Sequence, residues 1–446
     1  LSVFHAYDIR GIFGTDLDLD LTKNIAGAIA RFSDAKTYMI GYDARLHSHE
    51  MYQTIAQGLT GCGKDVTGIG LCSTPLLHFS QIKKHIDCGI MVTASHNPPP
   101  YHGLKLFDAF GGSVSYEKGL KTIEQMTYAA RPGRDGEKGR FSQTSYLDEY
   151  IDFLVQAARG RSFTAKIVID VSNGSAGHIF RRLGRELGLT FRIINEEPDG
   201  NFPNHFPNPL LAQSREQVAQ AIKQEKADLG IVLDGDGDRI IVVDEKGRPI
   251  ENYFLSALIA EELLKEHPGA GVVYDLISSK VLPDYIARHG GTPVVSRVGY
   301  TFIYDTMVAQ GAVFGCETSG HVYFKVDDRY YTESAAYALV LLLGLLEKKK
   351  KPLSELVAPL ADCFYQAPEL NVEVKDKQAV LSLIEKTYAE AVSGKLDGIS
   401  VEYPDYWFNV RPSNTEPLLR VRLEATSKVL AMEKYRQLKE LISSGL

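Results

Sequence analysis

Four short polar stretches hold the residues best able to do chemistry. The first, Gly89 to Lys105, reads Gly-Ile-Met-Val-Thr-Ala-Ser-His-Asn-Pro-Pro-Pro-Tyr-His-Gly-Leu-Lys. Its small and apolar start predicts a short buried strand, which Pro98 to Pro100 forbid from continuing as helix or central strand. Ser95 therefore falls on a constrained turn at a strand's end. A hydroxyl there, beside His96 and Asn97, suits a nucleophile or the carrier of a transferred group. The plainer reading is a turn whose polar side chains satisfy their own backbone. Lys105 favours the first reading, because a cation folding back past the flexible Gly103 can serve as acid, base or phosphate clamp.

In the second stretch, Asp234, Asp236 and Asp238 alternate with Gly235 and Gly237. Three carboxylates this close repel unless a hard divalent cation neutralises them, and the glycines let the backbone curl so that all three face one point. An EF-hand is excluded, although Glu245 stands at the twelfth loop position, because Arg239 replaces the glycine required at the sixth and both flanks read as strand. A Mg²⁺ site with positions left for a phosphate oxygen fits better than a solvated acidic turn.

The third stretch places Glu317, Ser319 and His321 around Gly320, a set suited to sugar hydroxyls, though a capping turn uses the same residue types. The fourth, Arg411 to Glu416, reads Arg-Pro-Ser-Asn-Thr-Glu. A guanidinium, two hydroxyls, an amide and turn N–H groups are what a phosphate nest needs, and a plain hairpin turn is the even alternative. Gly58 to Asp65 nearly spells a P-loop, but Asp65 replaces the hydroxyl and a helical pattern precedes it. No Gly-x-Ser-x-Gly elbow surrounds any serine.

The elements that must position these loops repeat. Strands ending in aspartate, Met39 to Asp43, Ile167 to Asp170 and Val272 to Asp275, each lead into a helical stretch and a second strand. A third strand then follows, around Gly89 to Val92, Gly230 to Leu233 and Ala312 to Gly315, and runs into one of the first three loops. The pattern predicts three similar mixed-sheet α/β domains, their strands largely parallel, whose loops converge from strand carboxyl ends on one cleft. The carboxyl-terminal part breaks the rhythm. Strands at Glu369 to Val374, Ile399 to Tyr403, Trp407 to Val410 and Leu418 to Leu423, with helices at Gln378 to Ala391 and Val429 to Ile442, predict a separate α+β domain. Linkers are expected at Arg131 to Ser145, near Gly247 and at Pro359 to Pro368. The expected domains are 1–143, 144–248, 249–360 and 361–446.

A chain of 446 residues exceeds one core, and its 44% hydrophobic and 24% charged content is that of an ordinary globular protein. The net charge of −7 gives no basic field, so nucleic acid is not an expected partner and an anionic ligand needs a local cluster. Five cysteines without a Cys-x-x-Cys pair, and an amino terminus unlike a signal peptide, fit a cytoplasmic protein. Ala335 to Leu346 is too short for a bilayer, which needs about 20 residues, and predicts a buried core helix.

Together the four loops, in this order, resemble the α-D-phosphohexomutase family over essentially the whole chain, from Tyr7-Asp8-Ile9-Arg10-Gly11 to the Arg411 loop. The Glu-Thr-Ser-Gly-His form of Glu317 to His321 is most similar to the bacterial phosphomannomutase/phosphoglucomutase branch. Phosphoglucosamine mutases usually have glutamine at the place of Thr318, and dedicated phosphoglucomutases a second acid.

The resemblance implies a fourth domain of the TATA-box-binding protein fold, and a Ser95 carried as phosphoserine that completes a Mg²⁺ shell with Asp234, Asp236 and Asp238. It implies that Arg10 and Lys105 flank the phosphoserine, with Lys105 as general base, and that Tyr7, Arg239 and His321 line the site. It further implies that Glu317, Thr318 and Ser319 meet the sugar, while Arg411, Ser413, Asn414 and Thr415 hold the substrate's phosphate. The implied reaction interconverts hexose 6-phosphate and hexose 1-phosphate, of mannose or glucose, through a hexose 1,6-bisphosphate, in a monomer or small homo-oligomer with no membrane partner. Tyr300 stands where a histidine is common and Ile277 where some members have lysine, so the proton donor and sugar preference are open. Phosphoglucosamine mutase, a bisphosphate synthase or phosphatase, and a non-catalytic sugar-phosphate-binding protein are the alternatives.

Overall fold

A computed structural model describes residues 2–129, 137–328, 330–413 and 418–444. Two compact units divide the chain: residues 1–251 with 319–354, and residues 252–318 with 355–446.

The first unit opens with a six-stranded sheet in the order Ile9–Ile12, Tyr101–Phe107, Cys88–Val92, Thr37–Tyr42, Asp65–Leu71, Phe141–Gln143. Thr37–Tyr42 runs parallel to both neighbours, whereas Tyr101–Phe107 returns antiparallel beside Cys88–Val92 and Ile9–Ile12 pairs antiparallel with it. The sheet is mixed, as expected, because the chain returns antiparallel after the serine loop. Cys88–Val92 is buried at every residue, as a central strand covered on both faces must be. The helix Leu19–Phe32 starts on Asp18, whose carboxylate accepts the Leu21 N–H at 2.7 Å, and its Ile25 and Ile29 pack with Ile40, Ile55 and Ile90. Ser73 caps Thr74–Lys83 in the same way, with Pro75 in the first turn.

A second sheet in this unit runs Pro249–Ile250, Ile240–Asp244, Leu229–Leu233, Ile167–Asp170, Phe191–Ile194, with the last three parallel and Ile240–Asp244 antiparallel to Leu229–Leu233. Val322–Lys325 and Tyr331–Glu333 form an antiparallel pair. The apolar run is the helix Ala335–Lys349, capped by Ser334 and buried at nine positions. No helix among the described residues is long and apolar enough to cross a membrane.

In the second unit Gly271–Asp275 lies between Thr292–Ser296 and Phe314–Cys316, all parallel. The C-terminal domain is an antiparallel sheet in the order Tyr365–Gln366, Leu418–Ala425, Tyr406–Pro412, Ile399–Glu402, Val392–Gly394, with Leu370–Glu373 also pairing to Leu418–Ala425. Its helices Lys377–Thr387 and Lys428–Ser444 cover Phe408, Val421 and Leu423. Two short strands, Tyr365–Gln366 and Val392–Gly394, add to the four expected from sequence. The indole N–H of Trp407 donates to Glu424 at 2.7 Å, and the same carboxylate oxygen accepts the Lys280 N–H at 2.9 Å.

Gly103 is not the flexible joint that the sequence suggests. It sits inside the return strand opposite Arg10, where a Cβ would lie 2.0 Å from the Ile9 carbonyl oxygen. Backbone closeness, not freedom, requires glycine there. Gly103→Ala is therefore expected to cost about 1–3 kcal/mol by forcing the first strand outward, read as a lower urea midpoint.

A second expectation concerns acid. Burial pushes the His78 pKa down to about 4, and burial with the Arg45 and His47 charges pushes His102 down to about 3. Both stay neutral when folded yet protonate near pH 6.5 when unfolded, so the unfolded chain binds more protons below that pH and stability falls from pH 6.5 toward 4. For His78, whose Nε2 bonds the Gly111 carbonyl at 2.9 Å, the loss approaches about 3 kcal/mol. The first urea transition, followed from pH 7.5 to 4.5, should show this slope, and His78→Gln should flatten it.

Candidate active site

The strand Cys88–Val92 delivers its chain into Thr93-Ala94-Ser95, where Ser95 adopts a left-handed φ of 49° and is 2% exposed. The Thr93 hydroxyl accepts the Ser95 N–H at 2.8 Å and holds this conformation, which is uncommon outside glycine and asparagine. The Ser95 Oγ then donates to Asp234 at 2.7 Å and lies 3.2 Å from His96 Nδ1. Burial, helped by the Arg239 and Arg10 charges, pushes the His96 pKa well down, so this imidazole is neutral.

Asp234, Asp236 and Asp238 follow the strand Leu229–Leu233, are all fully buried, and bring one oxygen each within 4.8 Å of the others. Gly237 takes φ 71°, and a Cβ on Gly235 would lie 2.8 Å from the Ser95 carbonyl oxygen, so the alternating glycines let this turn curl against the serine loop. Burial first, then repulsion from Asp238 and Asp236, pushes the Asp234 pKa well up. At Asp238 burial opposes charge, but Lys105, His321 and Arg239 outweigh it and hold the carboxyl below its usual range.

Lys105 reaches this cluster from the return strand Tyr101–Phe107, with Nζ 2.7 Å from Asp236 and 2.5 Å from Asp238. Thr74, at the start of its helix, donates its hydroxyl to the same Asp236 oxygen at 2.5 Å. The other oxygens of Asp236 and Asp238 are buried without a hydrogen-bond partner among the described residues. Buried carboxylate oxygens with nothing to accept from are what a hard divalent cation needs, so the donor set fits Mg²⁺.

Arg10, on the edge strand, donates to Asn97 of the serine loop at 2.5 Å and pairs with Asp8, while Tyr7 is half-buried just before it. Arg239 donates its Nε–H to His321 Nε2 at 2.9 Å, and its Nε lies 3.7 Å from Asp234. An isolated bridge between Arg239 and His321, with Ile240 N–H donating to Gly320 O at 3.1 Å, zips the Ser319–His321 segment to the metal-type loop. His321 bonds Glu333 through Nδ1, so both its ring nitrogens serve protein groups.

The remaining sequence candidates belong to the second unit. Glu317 accepts the Gly299 N–H at 2.8 Å, just before Tyr300 opens its helix. Thr318 gives both its N–H and its hydroxyl to Asp275, each at 2.8 Å, which makes it a brace for the loop. Burial pushes the Asp275 pKa up, and these donors with the Ser278 hydroxyl pull against that. Arg411 is half-buried in the strand Tyr406–Pro412, and Ser413 is buried with its carbonyl accepting from Lys377 at 3.0 Å. Asn414 and Thr415 lie outside the described residues, as do positions 131–136 of the expected first linker.

The structure thus gathers Ser95, Lys105, Arg10, the three aspartates, Arg239 and His321 in one unit. Thr74, Arg45 and Glu333 join them without having been singled out from sequence. Of these only Arg45 stands beside a feature read from sequence, in the polar turn after Asp43, and nothing local marks its distant partners.

Comparison with known proteins agrees along the whole chain. Residues 1–132, 146–247 and 252–364 match the phosphoglucomutase/phosphomannomutase α/β/α domains I, II and III, and residues 369–439 match the C-terminal domain. A phosphomannomutase of Escherichia coli K12 is 36% identical, with 97% of each chain covered. A phosphoglucomutase/phosphomannomutase family protein of Burkholderia thailandensis superposes with a TM-score of 0.90 at 30% identity, covering 99% of this chain and 97% of that one. At 16% identity and a TM-score of 0.64, covering 99% of this chain and 96% of the other, an Aspergillus fumigatus N-acetylphosphoglucosamine mutase crystallised with GlcNAc-6P and magnesium shares the fold. Three α/β/α domains and an antiparallel C-terminal domain, with a buried serine and three aspartates drawn to one point, are therefore those of a phosphohexomutase, and the chain belongs to the α-D-phosphohexomutase family.

Proposed function

We propose that this phosphohexomutase interconverts the 6- and 1-phosphates of mannose or glucose through a phosphoserine at Ser95 and a hexose 1,6-bisphosphate. The observation that carries this reading is the convergence on Ser95 Oγ: Asp234 accepts from it at 2.7 Å, and Lys105 lies on the two neighbouring aspartates. A binding protein needs no buried hydroxyl among four charged groups.

The two oxygens of one hexose are too far apart for direct transfer, so the phosphoryl group is carried by the protein. In the first half the Oγ–P bond of phosphoserine breaks as a bond forms from phosphorus to the free sugar hydroxyl oxygen, and that hydroxyl's proton passes to a base, for which Lys105 in its neutral amine form is the candidate. The serine Oγ leaves as an alkoxide and takes up that proton from the base, giving the 1,6-bisphosphate and the free serine. The bisphosphate then turns over, its other phosphoryl group returns to Ser95 as the Oγ proton passes to the base, and the base gives that proton to the sugar oxygen left behind. Asp234, Asp236 and Asp238 would hold Mg²⁺, which when bound supplies positive charge to the transferring phosphoryl oxygens. Arg10 and Arg239 flank the serine and add fixed positive charge to the same region. Glu317 and Ser319 are assigned to sugar hydroxyls, and Arg411 and Ser413, with Asn414 and Thr415, to the phosphate that is not reacting. Tyr300 can donate to phosphate but is a poor acid near neutral pH.

The first test follows ³¹P NMR spectra of protein with Mg²⁺, trace glucose 1,6-bisphosphate and, in parallel, mannose, glucose or glucosamine 6-phosphate. Sugar 1-phosphate should grow with mannose and glucose, and Ser95→Ala should lower turnover by about 10³-fold or more. Conversion of glucosamine 6-phosphate alone would overturn the substrate. Steady release of inorganic phosphate in place of sugar 1-phosphate would turn the reading toward a phosphatase.

A second test removes the metal. EDTA should abolish turnover and added Mg²⁺ restore it, while Asp236→Asn should raise the Mg²⁺ concentration for half-maximal rate by about tenfold or more. An EDTA-treated enzyme that keeps its rate would exclude the assignment.

A further inference from the structure

The loop that presents Ser95 hangs from a residue outside the reacting groups. Arg45 is buried, and each of its five N–H donors has an acceptor. Nε meets Asp43 at 3.2 Å. One terminal nitrogen donates to the carbonyls of Pro98 and Tyr101, both at 2.9 Å, and the other to those of Ser95 at 2.8 Å and Asn97 at 2.6 Å. A single planar fork therefore fixes four backbone carbonyls of one seven-residue turn, 95–101.

Asp43 closes the arrangement. One of its oxygens accepts the Arg45 N–H at 3.1 Å and the Ser48 hydroxyl at 2.6 Å, and the other accepts the Thr93 hydroxyl at 2.7 Å. Thr93 in turn accepts the Ser95 N–H. Both the N–H and the carbonyl of Ser95 are thus tied to one buried carboxylate, each through a single intermediary. That double hold keeps the serine in its left-handed conformation, and the conformation aims Oγ at Asp234.

The open face of the guanidinium is covered by Phe202, whose ring centre lies 5.0 Å from the guanidinium carbon. Phe202 comes from the second sheet's loop and itself takes φ 48°. Its neighbour Gly200 approaches so closely that a Cβ would lie 2.4 Å from the Leu46 nitrogen. This cover touches neither the serine nor the aspartates by hydrogen bond, so it can be altered by itself.

We infer that Arg45 is a positioning residue for phosphoryl transfer at Ser95, and that Phe202 from the second domain holds its guanidinium in plane. The inference rests on Ser95 being the phosphoryl carrier. Lysine keeps the charge but has three donors on a tetrahedral nitrogen, so Arg45→Lys leaves loop carbonyls without partners and lets the serine drift. Displacement near 1 Å at a reacting atom is enough for about a 100-fold loss of rate.

The test starts from protein phosphorylated by glucose 1,6-bisphosphate and freed of excess, then mixed with mannose 6-phosphate or glucose 6-phosphate and quenched. Arg45→Lys should slow single-turnover transfer by about 10- to 100-fold with KM changed by no more than about threefold. Phe202→Leu, which leaves every polar bond in place, should slow transfer by a smaller factor and keeps the inference testable if Arg45→Lys does not fold. Amide exchange should quicken at residues 94–101 in both variants while that of residues 234–238 holds. Wild-type transfer in Arg45→Lys or, if that variant does not fold, in Phe202→Leu, measured well below its melting temperature, overturns the inference, because a purely structural role lowers stability alone. Ser95→Ala, run alongside, separates the two failures: if it turns over, the phosphoserine reading falls, and if it is inactive while Arg45→Lys transfers normally, only the role of Arg45 falls.

Discussion

Asp234, Asp236 and Asp238 repel one another where water does not reach, and the groups around them supply the opposing charge. Burying a single unpaired carboxylate costs several kcal/mol, so three cannot share a turn unless cations are built in beside them. Lys105 and Arg239 provide the nearest ones, and Lys105 can do so only because the chain reverses after the serine loop and returns as a strand. The mixed character of the first sheet follows from that need. A purely parallel arrangement would leave the strand carboxyl ends with loops and helix starts but no strand to carry a cation back past them.

The same constraint explains why so many charged side chains here spend their hydrogen bonds on other protein groups. Arg239 is aimed by His321, His321 is fixed by Glu333, and Arg10 is tied to the loop residue Asn97. Each tie removes rotamer freedom before any substrate arrives. Fixed dipoles and charges that need not reorganise are the form of electrostatic stabilisation that phosphoryl transfer uses most. In the second unit Thr318 and Asp275 play the comparable part for the Glu317 loop, so a hydroxyl that the family resemblance implies for sugar contact is engaged with the protein.

What was legible in the sequence is what is local. The strand before Ser95, the curl of the Asp-Gly repeat and the aspartate that ends each repeated strand all lie within a few residues of their cause. The helix Ala335–Lys349 and the four longer C-terminal strands were readable for the same reason, through hydrophobic runs. Thr74, Arg45 and Glu333 were not, because each acts on residues that only the tertiary fold brings near: Thr74 meets Asp236 from 162 positions away. Gly103 was misread since flexibility and close approach leave the same letter. The strands Tyr365–Gln366 and Val392–Gly394 are too short to carry a period of their own.

The bond between Trp407 and Glu424 gives the protein an optical property. The chain has a single tryptophan, and its indole N–H shares a carboxylate oxygen with the backbone of Lys280, so the two ends of that contact come from the third and fourth domains. Emission from an indole depends on whether its N–H is bonded and how polar its surroundings are. The wavelength and intensity of the one tryptophan therefore report on a single seam in the molecule, free of overlap from any other indole and without an attached dye.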